Sequence, residues 1–218
     1  MSYYDELAES YDAWHEQPYY RKLEELEAKE VNKYINNNSR ILDIGCGTGR
    51  ILKRILKTNP ELKKINNLEG GCFVGIDSSK EMIKKVEKKI KGQFFTMDVD
   101  NIQMASENFD VVYSFKAFSH FLNPLMALKE MARVSRKWVI FEYYNAYCLR
   151  RLLYKSKAYT NWFTRNEIKQ LCEMAGLEVV YIKGIYAFGI TPFLPVLFPE
   201  AMGLFGSHQI VVCKKVEK

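Results

Sequence analysis

Cysteine is scarce and unpaired in this chain: there are five, an odd number, with no C-x-x-C and no histidines at ligand spacing. That excludes a disulfide framework and a zinc site as organising devices. Also missing is any run of the roughly 18 apolar residues that a bilayer span needs. The opening, Met1-Ser2-Tyr3-Tyr4-Asp5-Glu6, has neither a basic start nor an apolar signal core, so a reducing cytoplasm is the expected location. No internal repeat occurs, and no interior stretch has the Pro/Ser/Gly or single-sign charge bias of a disordered linker.

What remains is a folded globule. With 218 residues, 48% hydrophobic and 14% aromatic, the chain suits one α/β domain with embellishments and is too short for two. The net charge of +6 raises the question of nucleic acid. The lysines, however, fall mainly in Lys53-Arg54 to Lys64 and Lys80 to Lys91, where helices show a solvated face, and no basic cluster is interleaved with stacking rings. Nucleic acid is therefore not expected; an acidic small substrate or an anionic membrane surface stays open.

The stretch with most information is Arg40-Ile41-Leu42-Asp43-Ile44-Gly45-Cys46-Gly47-Thr48-Gly49-Arg50. It reads as a buried strand, a glycine turn and a helix start, with glycines where a ligand must approach the backbone. The dinucleotide fingerprint G-x-G-x-x-G would need its third glycine at Arg50 and has no acid two places before its first. Asp43 would repel a pyrophosphate but accept from a cationic amine or the loop's own N–H groups, so the ligand is zwitterionic rather than polyanionic. Leu42 to Gly49 resembles the first motif of the class I S-adenosylmethionine-dependent methyltransferases. The resemblance, closest to ubiquinone- and menaquinone-biosynthesis-type enzymes, implies S-adenosylmethionine held at Asp43, Gly45, Cys46 and Gly47, and no metal.

Before this motif, residues 1–37 read as one or two helices divided at Pro18. Their rings either cover a sheet edge or form a lid of Tyr11, Trp14, His15 and Tyr19; residues 11–19 are similar to the opening of methyltransferases with a helical cap, which adds Tyr11 to the cofactor set. A second strand, Cys72 to Ile76, ends on Asp77, placed to accept from a ribose diol, with Ser78 beside it. Ser78 reads as the N-cap of the next helix and Glu81 as its capping-box partner. Met82 is either core or, by the resemblance, against the adenine ring. A third strand, Gln93 to Met97, ends on Asp98-Val99, which by the resemblance reads the adenine edge, or else is an ordinary strand-to-loop pair. The fourth, Phe109 to Tyr113, leads into Ser114-Phe115, similar to the family's fourth motif beside the reactive methyl group.

A helix from Leu125 to Val134, a strand from Lys137 to Phe141 ending at Glu142-Tyr143-Tyr144, and a helix capped by Thr164 and closed by Gly176 follow. Leu177 to Ile182 and His208 to Cys213 are the last strands, with His208 expected to begin an edge strand. Between them, an apolar insert at 186–207 contains Pro192, Pro195 and Pro199, too many prolines for a regular helix. It packs on the sheet, roofs the site, touches lipid or forms a homodimer contact.

Seven strands alternating with helices predict a doubly wound, mostly parallel sheet with its last strand antiparallel, Rossmann-like, beneath an N-terminal helical cap. One domain spans 1–218, with the cap at 1–37, a cofactor half at 38–142 and a substrate half at 143–218. Base candidates are His120, His15 and Glu142, needed only where the acceptor carries a proton at neutral pH; a structural role for His120 is an equal reading. The N-P-P-Y element of amino-group methylation is absent, Ser114-Phe115-Lys116-Ala117 standing in its place. The resemblance implies methyl transfer to a small, aromatic or partly apolar metabolite. A tRNA or protein methyltransferase, or a non-catalytic cofactor-binding assembly protein, are the alternatives.

Overall fold

The structure is a computed structural model and describes residues 3–62, 72–148, 151, 158–185 and 206–216. Most of the 186–207 insert, the end of the polar connection before the second strand and most of residues 149–157 lie outside the described residues. In chain order come α1 (Tyr3–His15), α2 (Pro18–Asn32), β1 (Ile41–Ile44), α3 (Arg50–Thr58), β2 (Phe73–Asp77), α4 (Lys80–Glu87), β3 (Gln93–Thr96) and β4 (Phe109–Ser114). A 3-10 turn (Phe118–His120), α5 (Pro124–Val134), β5 (Ser135–Tyr144), α6 (Arg165–Met174), β6 (Leu177–Ile185) and β7 (His208–Lys215) complete them.

The sheet order is β3-β2-β1-β4-β5-β7-β6. The first five strands pair in parallel, and β7 runs antiparallel to both β5 and β6. His208 therefore does not begin an edge strand: β7 is enclosed, and β6 takes the edge. Pleating sends Ile41, Phe73 and Val111 to one face and Leu42, Val74 and Val112 to the other, so each face has its own buried core. Leu23, Val31, Leu52 and Ile55 from α2 and α3 cover the first face; Leu128, Met131 and Ile168 from α5 and α6 cover the second.

Helix starts follow local chemistry, with one correction. Asn123 caps α5 by accepting from Met126 N–H at 3.2 Å, and Thr164 with Glu167 forms a complete capping box on α6. The N-cap of α4 is Ser79, not Ser78: its hydroxyl accepts from Met82 N–H at 3.2 Å. Glu81 is thus one position early for a capping box and pairs with Lys84 instead. The chain reverses direction in the sheet between β1 and β4, so the carboxyl ends of β1, β2 and β4 open a crevice at the switch point. No helix among the described residues is long and apolar enough to cross a membrane.

Candidate active site

The glycine turn after β1 forms the floor of that crevice. Gly45, Gly47 and Gly49 all have positive φ, at 72°, 52° and 78°. The sequence reading gave all three to the ligand; the packing divides them. A Cβ on Gly45 would lie 2.3 Å from the Cβ of Ala117, and one on Gly49 would lie 2.6 Å from Val86. Those two let the loop approach the rest of the protein, whereas a Cβ on Gly47 would meet nothing within 4 Å. The loop is held by Asp77, whose carboxylate accepts from Gly47 N–H at 2.8 Å and Ser79 N–H at 2.9 Å. Burial pushes this carboxyl up, while the two N–H groups pull it down.

Above the loop is a cavity of ≈ 310 Å³, within the range of small-ligand pockets. Of the expected cofactor residues, Tyr11, Gly45, Gly47, Asp77, Ser78, Met82, Asp98, Val99 and Phe115 line it. His120 lines it too, together with Tyr4, Phe121 and Leu122. Asp43 and Cys46 line instead a smaller recess shared with His15, Glu24, Arg50 and Lys116. Buried Asp43 accepts from the Tyr113 hydroxyl at 2.9 Å, and burial raises it to about 7. Burial likewise raises the Cys46 thiol, which keeps it protonated.

Three expected residues are turned elsewhere. Ser114 is buried and does not line the cavity, its hydroxyl without a partner among the described residues. His15 is buried at the end of α1, its Nδ1 2.8 Å from the Tyr11 carbonyl, and burial lowers it to about 4. Glu142 does not look into the cavity: it pairs with His208 and meets Glu27 of α2, whose carboxyl burial raises strongly.

Several residues of this region were missed. Lys116, at the tip of β4, has a left-handed backbone (φ 59°) and reaches Glu27 at 2.7 Å. Arg50 binds Glu24 at 2.7 Å and the carbonyls of Asp12 and His15 at 3.2 and 2.9 Å. The one signal was on α2, where Glu24, Glu27 and Glu30 share a face with Leu23 and Val31. Buried acids on an apolar face need partners, and the sequence does not say which.

A mostly parallel sheet with this strand order, a glycine turn at the switch point and an acid at the next strand tip define a Rossmann-like methyltransferase fold. Residues 11–182 match the family described as Methyltransferase domain, and the chain belongs to that family. Over its full extent the chain is similar to a methyltransferase solved in complex with the Haloferax volcanii Trm112 methyltransferase activator. The TM-score is 0.76 at 19% identity, covering 100% of this chain and 99% of that one. It is 26% identical to an uncharacterised protein of Methanocaldococcus jannaschii, over 99% of this chain and 90% of the relative. A tRNA (guanine-N(7)-)-methyltransferase of Clostridium botulinum is 32% identical over 109 residues, 46% of each chain.

The cofactor is S-adenosylmethionine, and the residues present fit it. Gly47 leaves its side of the cavity open, Asp77 offers a carboxylate at a strand tip, and Met82, Met97 and Val99 give an apolar wall suited to a base. When bound, it supplies an activated methyl group; the chain's own part is to orient the acceptor and exclude water.

Proposed function

We propose that this methyltransferase acts on a small, aromatic or partly apolar metabolite. The observation that carries the reading is the aromatic and apolar lining of a cavity of ≈ 310 Å³. Tyr4 of α1, His120, Phe121 and Leu122 supply that lining, beside the polar Asp77 and Asp98. In this reading Asp77 accepts from the ribose, Asp98 and Val99 meet the adenine edge, Met82 and Phe115 pack on the cofactor, and Gly45 and Gly47 pass beneath its methionine part. Asp43 takes the cofactor's amine from the recess below.

A second reading, tRNA methylation, is favoured by the likeness to the guanine-N(7) enzyme over the shared half-chain. Protein incubated with methyl-labelled S-adenosylmethionine and either a metabolite extract or total tRNA separates the two. Label in the small-molecule fraction is expected. Label confined to tRNA, with acceptor affinity falling on a log–log salt plot with a slope of several units, would replace this reading with the second.

A further inference from the structure

His120 closes the 3-10 turn after β4 and is one of the residues lining the cavity. Its Nδ1 lies 2.7 Å from the backbone carbonyl of Tyr159. A carbonyl only accepts, so Nδ1 carries the proton and Nε2 carries a lone pair. The tautomer is held from outside the ring. Asn161 N–H donates to the Ser119 carbonyl at 2.7 Å and Asn161 Nδ2 to the Phe121 carbonyl at 2.8 Å, clipping the 159–161 segment onto the turn. Tyr4 from α1 and Tyr144 from β5 meet the ring edge-on, with centroids 6.0 and 5.7 Å away, and flank it. No hydrogen bond to Nε2 occurs among the described residues.

We propose that His120 Nε2 is the proton acceptor of the reaction, and that the acceptor substrate therefore presents a heteroatom still carrying its proton when it binds: a hydroxyl, thiol or ring N–H. The substrate class rests on the small-metabolite reading; the role of His120 does not. The acceptor's lone pair forms the new bond to the methyl carbon, the carbon–sulfur bond breaks with its electron pair going to sulfur, and the acceptor's proton passes to Nε2. The resulting imidazolium then loses that proton to solvent. An acceptor that is already a bare anion or a free amine lone pair would need no such group.

The surroundings keep the ring a base. Burial lowers its pKa below the ordinary 6.5, against the opposing pull of the Tyr159 carbonyl, so it is neutral at pH 7. Its neighbours Tyr4, Tyr144, Tyr159 and Thr160 are uncharged, while Asp77, Asp98, Asp100 and Lys116 line the same cavity.

The alternative is that His120 only staples the 159–161 segment. His120→Asn distinguishes the two, because its amide N–H can take the place of Nδ1–H toward Tyr159 while nothing replaces Nε2. Wild type and variant would be compared with labelled S-adenosylmethionine and a panel of phenols, thiols and azoles, or with whichever acceptor the extract yields. Expected are unchanged melting and cofactor affinity and a kcat lower by about 10²–10⁴-fold. The wild-type kcat should fall on acidification with a midpoint below 6.5, a limb His120→Asn lacks. Wild-type turnover in the variant would overturn the proposal. So would long-range proton–nitrogen NMR spectra at pH 7 showing the Nε2–H tautomer or an imidazolium, a result that needs no acceptor. Label found only in tRNA or protein would instead overturn the small-metabolite reading, and the same variant comparison on that acceptor would still decide His120.

Discussion

Asp43 titrates near neutrality, so its charge depends on what binds beside it. With burial holding it at about 7, a cationic amine in the recess favours the ionised form. Calorimetry at pH 7 in buffers of different ionisation enthalpy should show release of about half a proton on cofactor binding, and none for Asp43→Asn. Equal heats in all buffers would remove Asp43 from the amine. Asp77 is different: both of its oxygens already accept N–H groups that set the glycine turn. Asp77→Ala loses the loop's anchor and, on the proposed reading, a ribose acceptor with it. S-adenosylmethionine affinity should fall by about 1–3 kcal/mol, roughly 5- to 150-fold in Kd; unchanged affinity would take Asp77 out of the site.

Among the elements, α1 is held largely by polar contacts: Ala8 and His15 are its only buried residues. Asp12 accepts from Thr48 Oγ1 at 2.5 Å and pairs with Lys89, Ser79 Oγ donates to Asp5 at 2.6 Å, and Lys85 reaches the Ala8 carbonyl at 2.6 Å. Arg50 adds a cation at the helix C-terminus, through the His15 carbonyl. Such contacts weaken with salt far more than an apolar face does. Asp12→Ala should speed amide exchange in α1, leave β1 and β4 unchanged and accelerate cofactor release. Exchange rising equally in the sheet would mean that the cap is part of the core rather than fastened onto it.

For the molecule as a whole, the decisive feature is the charged cluster between α2 and the sheet. Glu24 and Glu27 of α2 meet Arg50 and Arg54 of α3 and Lys116 from the tip of β4. Removing Glu27 takes from the mostly buried Lys116 its nearest acceptor, so Glu27→Ala should cost about 1–3 kcal/mol in urea unfolding; a loss near zero would show that the cluster relaxes into water. Asp43 and His15 give the pH dependence of stability two opposing limbs. Asp43 is raised on folding, so its contribution is full below about 3.8 and is lost as pH rises through about 7. His15 is lowered, so its contribution is present above 6.5 and is lost as pH falls through about 4. Asp43→Asn removes only the first limb, and its stability should fall more steeply than wild type's between pH 7 and pH 5.

Strand–helix alternation, the glycine turn and the acids at two strand tips were legible in the sequence because each is a local property: a periodicity of two or 3.6, a backbone angle, a residue type at the end of an apolar run. Asp77 and Gly47 needed no knowledge of the rest of the chain to be singled out. The sequence could not show that Glu142 would turn to His208 and Glu27, or that β7 would enter between β5 and β6. Nor could it show that the Tyr159 carbonyl, 39 residues on, would select the tautomer of His120. Those outcomes depend on which surfaces meet across the sheet, and partners tens of residues apart leave no period in the chain. Residue types and spacing thus determined the fold and the glycine turn after β1, whereas which titratable groups line the cavity and which neutralise one another away from it was decided only by tertiary packing.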